Sequence, residues 1–316
     1  MDAPIAKDPF IVRIGTSGLA VDYGPLYIAK HNHWLDEVLK PYGAACKYEV
    51  YESISAIIDA HASEQIDCMF EADARAIVVA AAGIDGKILS ISCSLTQEIL
   101  VHKDSGISTT SDLRDKTIAV HIGGSSHYGL LKILQKSGLS KENVHILNMT
   151  TDEGKTAFTS KQVDAWAIWP PFVEEAELAG IGTTLGGGTV QLHSIMVARN
   201  RFLSENRSLC QAMVDVLDRA KRWILEHPVD SQKIIAQEFN MPLKVVERAF
   251  PRHNWKAQLD NAVLQDIQAK ADFLKAVGSI QTPVNVRTSM LDSTLAASPR
   301  FESHSMPGQV GSGQNP

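Results

Sequence analysis

The chain has 316 residues, of which 44% are hydrophobic and 21% charged, and a formal net charge of −6. This is the composition of a globular protein, long enough for two lobes of ordinary domain size. The basic residues are dispersed, which argues against a nucleic-acid or anionic-membrane surface, and no apolar run approaches the roughly 18 residues that span a bilayer.

Met1–Phe10 (MDAPIAKDPF) contains neither the basic start nor the apolar stretch of a secretory leader. Two readings stay open: a cytoplasmic protein, or an exported chain whose leader has been removed. Cys46, Cys68, Cys93 and Cys210 show no metal-ligand spacing, so no metal and no cofactor is expected.

From Phe10 onward strand and helix signals alternate. Ile11–Ile14 reads as an apolar strand that turns off at Gly15–Gly18. Pro25 suits the first turn of a helix over Tyr23–His31, which carries Leu26, Tyr27 and Ala29 inward. Trp34–Leu39 adds a short helical turn, and Cys46–Tyr51 a second strand. Ser53 caps a helix with Ile54, Ile57 and Ile58 on one face and Asp59, His61 and Glu64 on the other. Ile66–Phe70 is a third strand, and Glu71-Ala72-Asp73 opens an alanine-rich helix over Ala74–Ala82. Lys87–Cys93 and Glu98–His102 read as two strands separated by a polar break.

Lys116–Tyr128 (KTIAVHIGGSSHY) is the most informative stretch. A buried strand over Lys116–His121 runs through Gly123 and Gly124 into Ser125, Ser126, His127 and an amphipathic helix. The first N–H groups of such a helix have no intrahelical partner. With the macrodipole and the two hydroxyls they make an oxyanion site without a formal cation; simple N-capping is the alternative. Strands at Val144–Leu147, Ala165–Ile168 and Gln191–Arg199 alternate with helices at Thr151–Ser160 and Phe172–Ala179. Beyond Arg199 the pattern is helical: Ser204–Glu226, Ser231–Glu238, Leu243–Phe250 and Asn261–Ala276. The Ser/Pro/Gly-rich end has little to bury and reads as a disordered tail.

Alternating strands and helices predict parallel sheets with helices on both faces and ligands beyond the carboxyl ends of the strands. The loops at Thr16–Asp22, Glu71–Arg75, Gly123–His127 and Trp169–Pro171 are therefore expected around one cleft. Trp166 and Trp169 should part company, the first in the core and the second on the cleft. His31 and His33 read as solvated, Trp223 and Trp255 as packing residues. His127 lacks a second ligand at metal spacing and reads as a hydrogen-bonding imidazole.

The segment VHIGGSSHYGLLKILQKSGLSKENVHILNM, followed by TSKQVDAWAIWPPFVEEAE, resembles the sulfonate/taurine/nitrate-type substrate-binding proteins of bacterial ABC importers. Tyr23-Gly24-Pro25 and IDCMFEADARAIVVAAAG fit the same pattern, and the likeness runs from about Val12 to Phe273. It implies two doubly wound α/β lobes joined by a two-crossover hinge (periplasmic binding protein type 2), plus C-terminal helices and the tail. Lobe one would comprise 1–100 and 198–290, lobe two 101–197, and the tail 291–316, with crossovers near Ile99–Lys103 and Ser194–Arg199. It also implies a monomer in the periplasm or on the cell surface that hands a small anionic ligand, an organosulfonate, to a permease and an ATPase.

Carried across residue by residue, Ser125, Ser126 and His127 (with Gly124) are oxyanion donors. Trp169, followed by Pro170, is a ligand wall, and Ser17 and Gly18 face the cleft, with Asp22 and Tyr23 beside them. Where many relatives have Gly-Asp/Glu-Ala-Pro, this chain has Ala72-Asp73-Ala74-Arg75, and an arginine there suits bidentate pairing with a sulfonate or carboxylate. Glu71, Asp73 and Arg75 thus join the candidate site, a Glu71–Arg75 pair at the helix start being the alternative. An enzyme of desulfinase type on the same fold is the competing function, with Cys68 or Ser17 as nucleophile.

Overall fold

A computed structural model of the chain describes residues 10–17, 20–51 and 53–292. Gly18 and the tail from 293 onward lie outside the described residues, and Ser17 enters only as the last residue of its strand. In chain order the elements are β1 (Phe10–Ser17), α1 (Gly24–His31), α2 (Trp34–Leu39), β2 (Ala44–Tyr51), α3 (Ile54–Ala62), β3 (Cys68–Ala72), α4 (Asp73–Ala81) and β4 (Lys87–Val101). The middle stretch contributes β5 (Thr117–Val120), α5 (Ser125–Lys136), β6 (His145–Asn148), α6 (Thr151–Thr159), β7 (Ala165–Ile168), α7 (Phe172–Leu178), β8 (Thr183–Thr184) and β9 (Val190–Ala198). Then come α8 (Asn200–Glu205), α9 (Arg207–Glu226), α10 (Pro228–Glu238), α11 (Leu243–Ala249), β10 (His253–Asn254) and α12 (Asn261–Ala276).

The strands lie in the order β2-β1-β3-β9-β4-β7-β5-β6, with β8 and β10 each paired to β4. β1 is parallel to β2 and β3, and β5 is parallel to β6 and β7. β9 is antiparallel to both β3 and β4, and β7 is antiparallel to β4. Lys87–Gln97 of β4 pairs with β9, whereas Glu98–Val101 pairs with β7. The shared strand thus leaves the first group of strands and enters a second group that runs back toward the first. The carboxyl ends of both groups face one another. That is the geometry in which helix starts converge on a cleft.

β4 is one strand, not the two separated by a break that its polar residues suggest. Those polar residues are buried and bonded: the Ser92 hydroxyl donates to the Asp22 carbonyl (2.5 Å), Ser94 Oγ lies 2.7 Å from His193 Nδ1, and Gln97 Nε2 donates to the Ser126 carbonyl (2.9 Å). Polarity in a strand signals a break only when no partner stands opposite, and here partners do. His61 is likewise buried, not solvated, its Nε2–H donating to the Asp85 carbonyl (2.7 Å) that folds over it. The expected helix from Ser204 is divided at Asn206, whose side chain donates to the Phe202 carbonyl (3.1 Å) and competes with the helical ladder. Leu291 and Asp292, placed in the tail by the domain bounds, are packed: Leu291 is buried and bridged to Ile88, and Asp292 pairs with Arg207 (2.7 Å).

Apolar side chains gather in one large core around the first group of strands and a smaller one around the second. The smaller core holds Leu100, Phe158, Trp166, Ile168 and Val173, each fully buried aliphatic or aromatic side chain contributing roughly 1.5–3 kcal/mol. Trp166, within β7, is 3% exposed, and Trp169, one residue past its end, is partly exposed. Arg252 braces the two groups of elements together. Its guanidinium lies 3.2 Å from Glu98 of β4 and 2.8 Å from Glu174 of α7, while Arg248 of α11 pairs with Glu177 of α7 (3.0 Å).

A methyl group on Gly154 of α6 would come within 2.6 Å of Trp166 Nε1, and that indole is held by Phe158 and Phe172. Glycine is ordinarily about 1 kcal/mol worse than alanine inside a helix. Here the sign reverses: Gly154→Ala is expected to destabilise the protein by about 1–3 kcal/mol, read as a lower urea midpoint at unchanged slope.

Candidate ligand-binding site

A cleft of about 370 Å³ opens where the two sets of carboxyl ends meet. Six of its lining residues sit at helix starts: Tyr23 before α1, Ser53 before α3, Ala72 before α4, Ser125 opening α5, Thr150 before α6 and Phe172 opening α7. Each helix directs the positive end of its dipole and its first N–H groups at the same volume. α3 and α6 are capped by the hydroxyls of Ser53 and Thr150, whereas α5 follows Gly124 and has no side-chain cap. The first turn of α5 therefore keeps its donors for whatever enters.

Arg75, 6% exposed, is the one arginine or lysine among the described residues lining the cleft. Tyr23, Ser53, Ser125, Thr150, Thr151, His121, Asp22 and Asp152 supply the remaining polar lining. The opposite wall is apolar: Leu95 and Leu192 from the two long strands, with Trp169, Phe172 and Phe239. Those three aromatics form a chain, Trp169 to Phe172 at 6.1 Å and Phe172 to Phe239 at 6.4 Å, both edge to face.

Of the residues expected in the site, Asp22, Tyr23, Arg75, Ser125 and Trp169 line this cleft. They come from all four of the loops expected to share it. Ser126 faces away, fully buried, its hydroxyl without a hydrogen-bond partner among the described residues. One helical residue turns the chain by about 100°, so neighbours Ser125 and Ser126 cannot both point at one spot. By the same rotation His127, with Gly124, lines a second cavity of about 570 Å³ between α5, α4 and α12. Pro170, Glu71 and Asp73 are buried and are not among the cleft-lining residues. Asp73 instead pairs with Lys270 (2.5 Å) and accepts from the Ala74 N–H (2.8 Å).

Sequence reasoning missed His121, Thr150, Thr151 and Asp152. The signal was present: Thr150 and Glu153 form a reciprocal cap at the carboxyl end of β6, the same position relative to its strand as the Ser125 loop. Leu95, Leu192 and Phe239 carry no local signature at all.

Burial, opposed by the neighbouring Arg75, pushes the Asp22 carboxyl up to about 6. Burial likewise raises Glu71 to about 7, with Asp73 adding to the rise and Arg75 opposing it. Neither oxygen of Glu71 has a hydrogen-bond partner among the described residues. Burial and then Arg75 lower the His121 imidazole, which keeps it neutral. Arg75 is the one side-chain cation there, and Asp22 beside it limits how much negative charge the cleft accommodates.

Asp73, His193 and Asp266 hold potential metal-ligating atoms within 4.8 Å of one another. The Lys270 ammonium already fills that position, 2.5 Å from Asp73 and 2.6 Å from Asp266. Ser94, His193 and Asp266 form a hydroxyl–imidazole–carboxylate relay, at 2.7 and 2.9 Å. Ser94 and His193 alternate with Leu95 and Leu192, so they occupy the face of the sheet away from the cleft. Cys68 is fully buried and its thiol pushed well above the ordinary range, the opposite of an activated nucleophile.

The fold is that of the periplasmic-binding-protein class. It superposes on the alkanesulfonate-binding protein SsuA from Xanthomonas axonopodis pv. citri bound to MOPS with a TM-score of 0.76 and 25% identity, over 90% of this chain and 98% of that one. The chain belongs to the family described as NMT1/THI5 like, whose model matches residues 22–231. A Bacillus subtilis (strain 168) protein, named provisionally for aliphatic sulfonate binding, is 28% identical over 300 residues, 92% of this chain and 89% of its own length. The desulfurization enzyme DSZB shares the fold at a TM-score of 0.69 and 16% identity, over 90% of this chain and 97% of that one.

Because Glu71 holds its proton more tightly when folded, its contribution to stability is complete below about 4.5 and is lost as pH rises through about 7. Glu71→Gln, which stays neutral, is therefore expected to gain in Tm relative to the unsubstituted protein as pH goes from 5 to 8. A pH-independent difference would show that the carboxyl is solvated or paired.

Proposed function

We propose that this protein is the solute-binding component of an ABC importer and captures a small organic sulfonate in the cleft between its two groups of strands. The observation that carries this reading is the pairing of Arg75 and the uncapped first turn of α5 with a wall of Leu95, Leu192, Trp169, Phe172 and Phe239. A sulfonate keeps a single negative charge at every physiological pH. It can be held by fixed donors with no proton to manage, while its tail lies on the apolar wall. The cleft volume lies within the range of small-molecule sites. The alkanesulfonate-binding protein and the Bacillus subtilis relative, each spanning nearly the whole chain, support the same ligand class.

In this reading β1–β3, β9, β10, β4 as far as Gln97 and the C-terminal helices form one lobe, and β5–β8 with α5–α7 the other. The crossovers are then the Gln97–Glu98 step in β4 and the start of β9 at Val190, so residues 190–197 belong with the first lobe rather than with the middle one. Closure about this hinge presents the loaded form to a permease and its ATPase. The protein acts outside the cytoplasm, in the periplasm or on the cell surface, as a monomer without a cofactor. The name of a further relative, the taurine-binding periplasmic protein of Escherichia coli, 24% identical over 78% of this chain, supports that location. A desulfinase reading finds no support in the placement of Cys68, and purified protein is expected to release no sulfite from an aryl sulfinate.

A thermal-shift panel of taurine, C2–C8 alkanesulfonates, aryl sulfonates, nitrate and sulfate tests the proposal. Sulfonates should raise Tm with increasing concentration, and sulfate, a dianion, should not. No shift with any sulfonate overturns the reading. By calorimetry Arg75→Ala is expected to weaken sulfonate binding by about 1.5–3 kcal/mol and Ser125→Ala by about 0.5–1.5 kcal/mol. Ser126→Ala should leave affinity within about twofold, since its hydroxyl faces away from the cleft.

A further inference from the structure

Lys270 of α12 is 1% exposed, and its ammonium is held between Asp73 (2.5 Å) and Asp266 (2.6 Å). Asp266 is tied in turn to His193 of β9 (2.9 Å), and His193 to Ser94 of β4 (2.7 Å). The network thus starts on β4 and β9 and ends on Asp73, the first residue of α4. Asp73 has both oxygens engaged: Oδ2 by Lys270, and Oδ1 by the N–H of Ala74. Arg75, the cation of the cleft, is the next residue in that same turn. Lys270 also lies 5.9 Å from the ring centroid of Tyr128 in α5, the helix that opens with Ser125.

A buried ammonium is a poor choice for stability alone, because well-packed apolar residues of similar volume are commonly as stable or more so. What it provides is a point charge that holds several oxygens at once. The surrounding donor set, two carboxylates and an imidazole within 4.8 Å, is of the kind that binds a divalent ion. Here the chain supplies its own cation.

We propose that Lys270 is a positioning residue for ligand capture: an internal cation, seated where a metal ion would sit, that fixes the first turn of α4 and through it the guanidinium of Arg75. Lys270 and its partners Asp73, Asp266 and His193 are absent from the cleft lining, so they act through Arg75 and not by contact. A fork that is already fixed loses little conformational entropy on binding a sulfonate, and a loose one loses more.

The inference rests on the sulfonate reading for its affinity arm, and a second arm stands without a ligand. With 1-pentanesulfonate as probe, calorimetry on Lys270→Met should show a Kd raised about tenfold or more. In an Arg75→Gln background the same substitution should add less than about twofold, because the residue it acts through is already gone. Equal losses in both backgrounds, or no loss in the first, overturn the proposal. Separately, ¹⁵N-arginine spectra of the ligand-free protein should show the Arg75 Nε–H signal, assigned by its loss in Arg75→Gln, broadened or shifted in Lys270→Met. An unchanged signal also overturns it. If the unsubstituted protein binds no sulfonate, the reading of the cleft fails and the spectra alone decide the role of Lys270. Should Lys270→Met not fold, Asp73→Asn/Lys270→Met removes both charges together and gives the same comparisons.

Discussion

One strand sets the geometry on which the rest depends. β4 pairs with β9 along most of its length and with β7 over its last four residues, Glu98–Val101. Because β7 is antiparallel to it and β5 and β6 follow β7, the second group of strands points back at the first. Every parallel strand in either group then delivers its carboxyl end, and the helix that follows, to one cleft. A break in β4 at its polar residues would separate the groups, and the bonds made by Ser92, Ser94 and Gln97 are what prevent that break.

Charge in the molecule is concentrated at the joints of this arrangement. Arg252 holds Glu98 at the point where β4 changes partners and Glu174 on α7, which brings Phe172 against Phe239 and completes the apolar wall. Lys270 holds Asp73 and Asp266 beneath the first turn of α4. Glu98, Glu174, Asp73 and Lys270 are buried in these clusters, where removing one partner of a pair leaves an uncompensated charge. The cleft itself has Arg75 as its one lysine or arginine among the described residues, with the Asp22 carboxyl beside it pushed up by burial. Backbone N–H groups at the helix starts add to the positive field of Arg75 without any mobile side chain to desolvate.

The fold and part of the cleft lining were legible in the sequence because they depend on short-range rules. The run from Thr117 through Gly123 and Gly124 to Ser125 is a strand, a turn with positive φ at Gly123, and a helix start, and each step has a local cause. Trp166 and Trp169 separated as expected, and Trp34–Leu39, Ala165–Ile168 and Asn261–Ala276 fall on the expected bounds.

What composition and periodicity determined was the alternation of strand and helix, the side of the sheets where the cleft opens, and the loops that reach it. Tertiary structure alone decided which member of each loop turns inward: Ser125 and not Ser126 or His127, Arg75 and not Glu71 or Asp73. It also decided that the polar residues of β4 are interior, that His61 is covered, and that Leu95, Leu192 and Phe239 form a wall. The physical reason is common to all of these. A helix or strand period fixes relative direction within an element, whereas absolute direction is set by what packs on it, and those partners are distant in the chain.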